Sequence, residues 1–132
     1  EWPSGGLPMS DNRISNHKDL DVWKLSMELV TAIYEMTGNF PREEIYGLTN
    51  QMRRAAVSIP SNIAEGAARN SEKEFLQFLH FSLGSVAELE TQLLISDNLE
   101  FSTNATALHQ KVARIKRMLI GLIAYLKGGE GP

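Results

Sequence analysis

The chain has 132 residues, 42% of them hydrophobic and 22% charged, the balance of a folded domain of ordinary size rather than a disordered segment. It has no cysteine, which rules out disulfides and thiolate metal sites, and its net charge of −3 argues against bulk electrostatic capture of nucleic acid. No apolar run approaches the roughly 20 residues of a membrane-spanning helix, and no secretory signal opens the chain, so a cytoplasmic protein is expected.

Residues 1–8 precede Met9 and read like a cloning remnant, and residues 9–18 read as an irregular polar segment. A four-helix domain is expected over residues 19–128, with residues 129–132 as a tail. Helix 1 should start at Asp19 or Asp21, either of which can cap free backbone N–H groups. Trp23, Met27, Val30 and Tyr34 recur at helical spacing, and Gly38 marks the end.

Asn39-Phe40-Pro41 reads as a turn into helix 2, where Glu43 and Glu44 suit the positive end of the helix dipole. Ile45, Leu48, Met52, Ala55, Ile59 and Ile63 step by three or four and form a core-facing stripe. Pro60 lies inside it and should bend the helix. The helix is expected to end near Asn70.

Ser71-Glu72-Lys73-Glu74 has the pattern of a capping box at the head of helix 3. That helix carries Phe75, Leu79, Ser82, Val86, Leu89 and Leu93 inward. After a loop from Asn98 to Asn104, with Ser102, Thr103 or Asn104 as cap, helix 4 carries Leu108, Val112, Ile115, Leu119, Leu122 and Leu126. Gly128-Gly129 stops it. Four helices on short loops predict an all-α, antiparallel up-down-up-down bundle.

Helix 3 has more apolar surface than one bundle uses. Leu76, Leu83 and Leu94 widen its stripe on one side, Phe78 and Phe81 on the other, to an arc of roughly 220° against the ~100° that normally faces a core. Met118, Ile120 and Tyr125 add to the surplus on helix 4. Exposed apolar area of this kind marks an interface, so self-association is expected, unless the N-terminal segment or a loop covers these residues. On helix 2, Gln51, Arg54, Ser58, Asn62, Glu65 and Arg69 form a polar seam away from the apolar stripe. The seam can be a solvated face, a subunit interface knitted by charged hydrogen bonds, or a ligand- or RNA-contacting face.

Catalytic and metal motifs are not found. Di-iron bundles use Glu-x-x-His pairs, but the residues three before His80 and His109 are Gln77 and Thr106. No phosphate loop, dinucleotide fingerprint or nucleophile elbow occurs, so neither an enzyme nor a cofactor is expected. Charge is unevenly placed: residues 72–100 carry six acids and one base, residues 104–127 five bases and no acid. Lys111, Arg114 and Arg117 lie along one side of helix 4, and Arg53 and Arg54 sit together on helix 2. These five are candidate nucleic-acid contacts through phosphates. Alternatively, these cations pair with the acids of helix 3 of the same or a neighbouring subunit. His109, Lys116 and Lys127 fall on a different side and are expected in solvent.

The run Phe40-Pro41-x-x-Glu44-x-Tyr46-Gly47-Leu48-x-x-Gln51-x-Arg53-Arg54-Ala55-Ala56-x-Ser58-Ile59-Pro60-x-Asn62-Ile63-Ala64-Glu65-Gly66 resembles the signature of the four helix bundle protein family, also called the 23S ribosomal RNA intervening-sequence protein family. Asp21-Val22-Trp23-Lys24 and Gly84-Ser85-x-x-Glu88-Leu89-Glu90 fit the same family, and the likeness covers about residues 17–127. The resemblance implies a homopentameric ring of bundles, with RNA or the ribosome as the suspected partner, and a role not established for most members. A relative, the accessory variability determinant of diversity-generating retroelements, is strongly basic and binds nucleic acid; with a pI near 5.6 this chain lacks that broad basic surface. In an oligomeric family, Gln51, Arg54, Ser58, Asn62, Glu65 and Arg69, with Phe78 and Phe81, are expected at the subunit interface or central channel. The leading expectation is a non-enzymatic homo-oligomeric scaffold or adaptor, and the alternative an RNA-binding or ribosome-associated module.

Overall fold

The computed structural model describes residues 16–102 and 105–128. The expectations for residues 1–8, most of 9–18, Thr103, Asn104 and the tail lie outside these. Four α-helices account for the fold: α1 (Asp21–Thr37), α2 (Leu48–Ala67), α3 (Glu72–Asn98) and α4 (Thr106–Leu126). Single turns of 3-10 helix at His17–Asp19 and Arg42–Glu44 precede α1 and α2, and no strand occurs among the described residues.

The helix ends follow local chemistry, not always that of the expected residues. Neither Asp19 nor Asp21 caps α1: Leu20 holds the cap position, with Asp21 the first helical residue and Asn16 capping the preceding 3-10 turn. At α2, the chain first spends one turn in 3-10 helix. The Glu44 carboxylate then accepts the Leu48 N–H at 3.1 Å, so Glu44 serves the helix start through its side chain. Gly47 makes room for it, because a Cβ there would lie 2.8 Å from Glu44 Oε1. Ser71 caps α3 by accepting the Glu74 N–H at 3.1 Å. The N-cap of α4 is Ala105, which has no side-chain acceptor to offer. α2 ends at Ala67, three residues short of Asn70.

At the far end of α3, Glu100 adopts φ 59°, the left-handed conformation that glycine usually supplies. Its N–H donates to the Asp97 carbonyl, and the Phe101 N–H reaches back to Ser96, both at 3.0 Å. This is the Schellman pattern. It turns the chain so that the Phe101 ring packs on Phe40, 5.3 Å between centroids.

The core is one apolar cluster drawn from all four helices. Every residue of the inward stripe expected on α3 is buried, as are Val112, Ile115, Leu119 and Leu122 on α4, with Leu108 and Leu126 partly so. On α2 the stripe holds from Met52 to Ile63, whereas Ile45, outside the helix, is exposed. On α1 it is displaced by one residue. The side chains that enter the core are Val22, Leu29 and Ile33, together with Ser26 and Thr37. The two hydroxyls donate to the Val22 and Ile33 carbonyls of their own helix, both at 2.7 Å, which lets polar residues occupy apolar positions. Met27 and Tyr34 are consequently turned outward, with Trp23 and Val30 half-buried at the edge.

α2 and α3 make the closest packing. Gly66 meets Phe75 and Phe78, and a Cβ on it would lie 2.6 Å from Phe78 Cβ. Further along, Ser82 donates to the Ile59 carbonyl beside Pro60 at 2.8 Å, and Ser58 meets Ser85. Numbers rise along α3 as they fall along α2, so the pair run in opposite directions. α3 and α4 behave the same way, Asp97 meeting His109 and Glu90 meeting Lys116.

Candidate subunit and nucleic-acid interface

The polar seam of α2 lies along the side that faces α3, and much of it is satisfied within the chain. Ser58 Oγ is 2.8 Å from the Ala55 carbonyl and 2.5 Å from Ser85 Oγ. A hydroxyl has one proton; if Ser58 donates it to the carbonyl, Ser85 is the donor between helices. Asn62 donates to the Ser58 carbonyl at 2.9 Å. Arg69 pairs with Glu65 one turn earlier at 3.0 Å, both half in solvent, and its guanidinium sits 4.7 Å from the centre of the Phe78 ring. Phe78 in turn meets Phe81 edge-on at 5.3 Å. Phe78 is thereby partly covered, whereas Phe81 remains 49% exposed. Gln51 and Arg54 are exposed, and no polar partner engages either among the described residues.

The five candidate cations separate into different environments. Arg53 is folded onto the end of α1: Nε donates to Thr37 Oγ1 at 2.9 Å, Nη2 to the Tyr34 carbonyl at 3.3 Å, and the guanidinium lies 4.4 Å above the Tyr34 ring. It neutralises the negative end of the α1 dipole. Lys111 reaches Glu28 of α1 at 3.3 Å. Arg54, Arg114 and Arg117 are exposed without an ion-pair partner among the described residues. The α4 side chains that do meet acids of α3 are His109, whose ring nitrogen lies 2.7 Å from the Asp97 carboxylate, and Lys116, with Glu90 at 3.6 Å. Both had been expected in solvent. They lie on the α3-facing flank of the helix and Lys111 on the α1-facing flank, a distinction that depends on which neighbours flank α4.

Two features had no clear sequence signal. Gln92 is buried, gives its amide N–H to Glu88 at 3.2 Å and finds no partner for Oε1 among the described residues. The outward apolar side of α1 has no signal of its own, because Trp23, Met27, Val30 and Tyr34 recur at the same helical spacing as a core-facing stripe. Among the described residues there is no group of three or more His, Asp or Glu that could hold a metal, and no helix is long and apolar enough to cross a membrane.

Comparison with known proteins fits this architecture. A crystallised protein of unknown function from the S23 ribosomal protein family of Bacteroides thetaiotaomicron aligns at 24% identity with a TM-score of 0.70. The alignment covers 77% of this chain and 97% of that one, and shows the fold alone. No curated protein matches. The family model described as 23S rRNA-intervening sequence protein matches residues 18–121, most of the chain. With the signature run on the seam-bearing helix and the four helices that the fold requires, the chain belongs to the 23S rRNA-intervening sequence protein family.

Proposed function

We propose that this chain is a non-enzymatic cytoplasmic scaffold, an up-down-up-down bundle that assembles with copies of itself into a ring, a pentamer by family resemblance. One observation carries the reading: large apolar side chains stay at the surface after the core is closed, among them Met27, Tyr34, Phe81, Ile95 and Leu99. Surfaces with so much exposed apolar area usually belong to interfaces. The seam of Gln51, Arg54, Ser58, Asn62, Glu65 and Arg69, with Phe78 and Phe81, borders this area and supplies the polar part of the contact. Light scattering at micromolar concentration tests the reading directly. A mass several times 14.7 kDa is expected, five times if the ring is a pentamer; a single-chain mass refutes it. Glu65→Ala, which removes only an exposed i,i+4 pair from the folded chain, should lower that mass.

A second reading is RNA binding, favoured by Arg54, Arg114 and Arg117, which have no ion-pair partner among the described residues, and by the family's description as 23S rRNA-intervening sequence protein. Filter binding with structured RNA at two salt concentrations separates it from the first. A steep loss of affinity with salt marks phosphate contacts. No retention at low salt removes the reading.

A further inference from the structure

Gly84 stands at the middle of α3, the longest helix, on its solvent side. Glycine is the least favourable residue in a helix interior after proline. Elsewhere in this fold its use is explained by crowding: at Gly66 an added Cβ would run into Phe78, and at Gly47 into Glu44. At Gly84 an added Cβ would meet nothing within 4 Å. Among the described residues no packing accounts for the missing side chain.

Its surroundings are those of a contact surface. Phe81, Gly84, Glu88, Ile95 and Leu99 follow one another along the outer face of α3 at helical spacing. Phe81, Ile95 and Leu99 are each about half exposed, so large apolar groups share this face with a position that has no side chain. Glu88 is the face's acid; Gln92 engages one of its oxygens and no cation pairs with it among the described residues.

A second face of the same molecule matches it. Where α1 and α2 meet, Met27, Tyr34 and Val57 project outward beside the half-buried Trp23 and Val30. The charge on this face is Arg53, held over the Tyr34 ring with N–H groups to spare beyond its two hydrogen bonds. Aromatic residues, methionine and arginine with few other charges are the composition of an interface centre. One face offers projecting side chains and a cation, the other the bare backbone of Gly84 and a carboxylate.

We infer that the outer face of α3 around Gly84 receives the α1–α2 face of a second copy of this chain, with Gly84 admitting a projecting side chain and Glu88 facing Arg53. Because two different faces meet, the contact is heterologous, the kind that generates a ring when its rotation closes. The inference rests on the assembly reading above and specifies its contact.

Sedimentation velocity on the full chain, beside Gly84→Trp and Met27→Glu, tests it. Each substitution alters one of the two faces at a position outside the core. Both variants should keep the helical circular-dichroism signal and cooperative unfolding of the wild type, while self-association weakens at least about tenfold. A folded Gly84→Trp or Met27→Glu chain that sediments like an assembled wild type overturns the inference and leaves assembly standing. An unfolded Gly84→Trp chain also overturns it, since the space would then belong to the chain itself. A single-chain wild type overturns the assembly reading and the inference together.

Discussion

Replacing Gly66 by alanine should destabilise the bundle although alanine is the better helix former. The new Cβ would lie 2.6 Å from Phe78 Cβ, 3.0 Å from Phe75 Cδ1 and 3.3 Å from the Phe75 carbonyl oxygen. Carbon atoms pack comfortably at about 3.5–4.0 Å, so the first contact is short by about 1 Å. A Phe75 ring can turn aside. Phe78 Cβ cannot, because it is bonded to the α3 backbone and moves only if the helices separate. Overpacking of this kind costs about 1–3 kcal/mol. Against that stands a propensity gain of at most about 1 kcal/mol, reduced here because Gly66 is one residue from the end of α2. The net expectation is a loss of about 1–2 kcal/mol, read by urea unfolding followed by circular dichroism at one fixed protein concentration, with m unchanged. A variant as stable as the wild type, or more so, would show that the crossing of α2 and α3 is not set by this contact.

Glu100→Gly should act in the opposite sense. A left-handed non-glycine residue costs about 1–2 kcal/mol, partly offset by glycine's extra freedom when unfolded, so thermal unfolding should show a gain of about 0.5–1 kcal/mol; a loss would mean that the Glu100 side chain holds the turn. Arg53→Ala removes two hydrogen bonds and a ring contact that join α2 to the end of α1. It should cost about 2 kcal/mol in denaturant titration, and weaker RNA retention at unchanged stability would identify Arg53 as a phosphate contact instead. Gln92→Met keeps the side-chain length and removes the orphaned Oε1 together with the bond to Glu88. A gain of up to about 1 kcal/mol is expected by urea unfolding, and a clear loss would show that the amide is satisfied and needed.

The sequence spoke clearly where apolar spacing was uninterrupted. α3 and α4 carry long stripes of Leu, Val, Ile and Phe, and the buried residues are those of the stripe. α1 misled because two candidate stripes run side by side, one turned 100° from the other. Trp23, Met27, Val30 and Tyr34 are the bulkier set, whereas Val22, Leu29 and Ile33 are broken on paper by Ser26 and Thr37. Only the bonds of those hydroxyls to carbonyls four residues back show that the polar positions belong inside. Helix ends were legible where a side chain does the capping, as at Ser71, and not where backbone geometry does it, as at Leu20, Ala105 and Glu100. The surface seam was visible as a pattern, but its internal partners were not, since Ser85 lies 27 residues from Ser58.

The displaced stripe of α1 also changes the weight of the two functional readings. Once Met27 and Tyr34 face outward, the apolar surplus is spread over α1 and α3, and two separate faces need cover rather than one. Internal contacts meanwhile shrink the basic surface: of the five candidate cations, Arg53 is held by neutral groups of α1 and Lys111 by Glu28, leaving Arg54, Arg114 and Arg117 without an ion-pair partner among the described residues. Two or three phosphate contacts give a salt slope of only about −2 to −3, too shallow for tight binding by one chain at physiological salt. A ring repeats those arginines in every subunit, and linked contacts multiply affinity where single ones do not. RNA binding, if this chain does it, therefore depends on assembly. Gly84→Trp should weaken filter retention of RNA in step with self-association although it touches no cation, and RNA bound equally well by the dissociated chain would break that dependence.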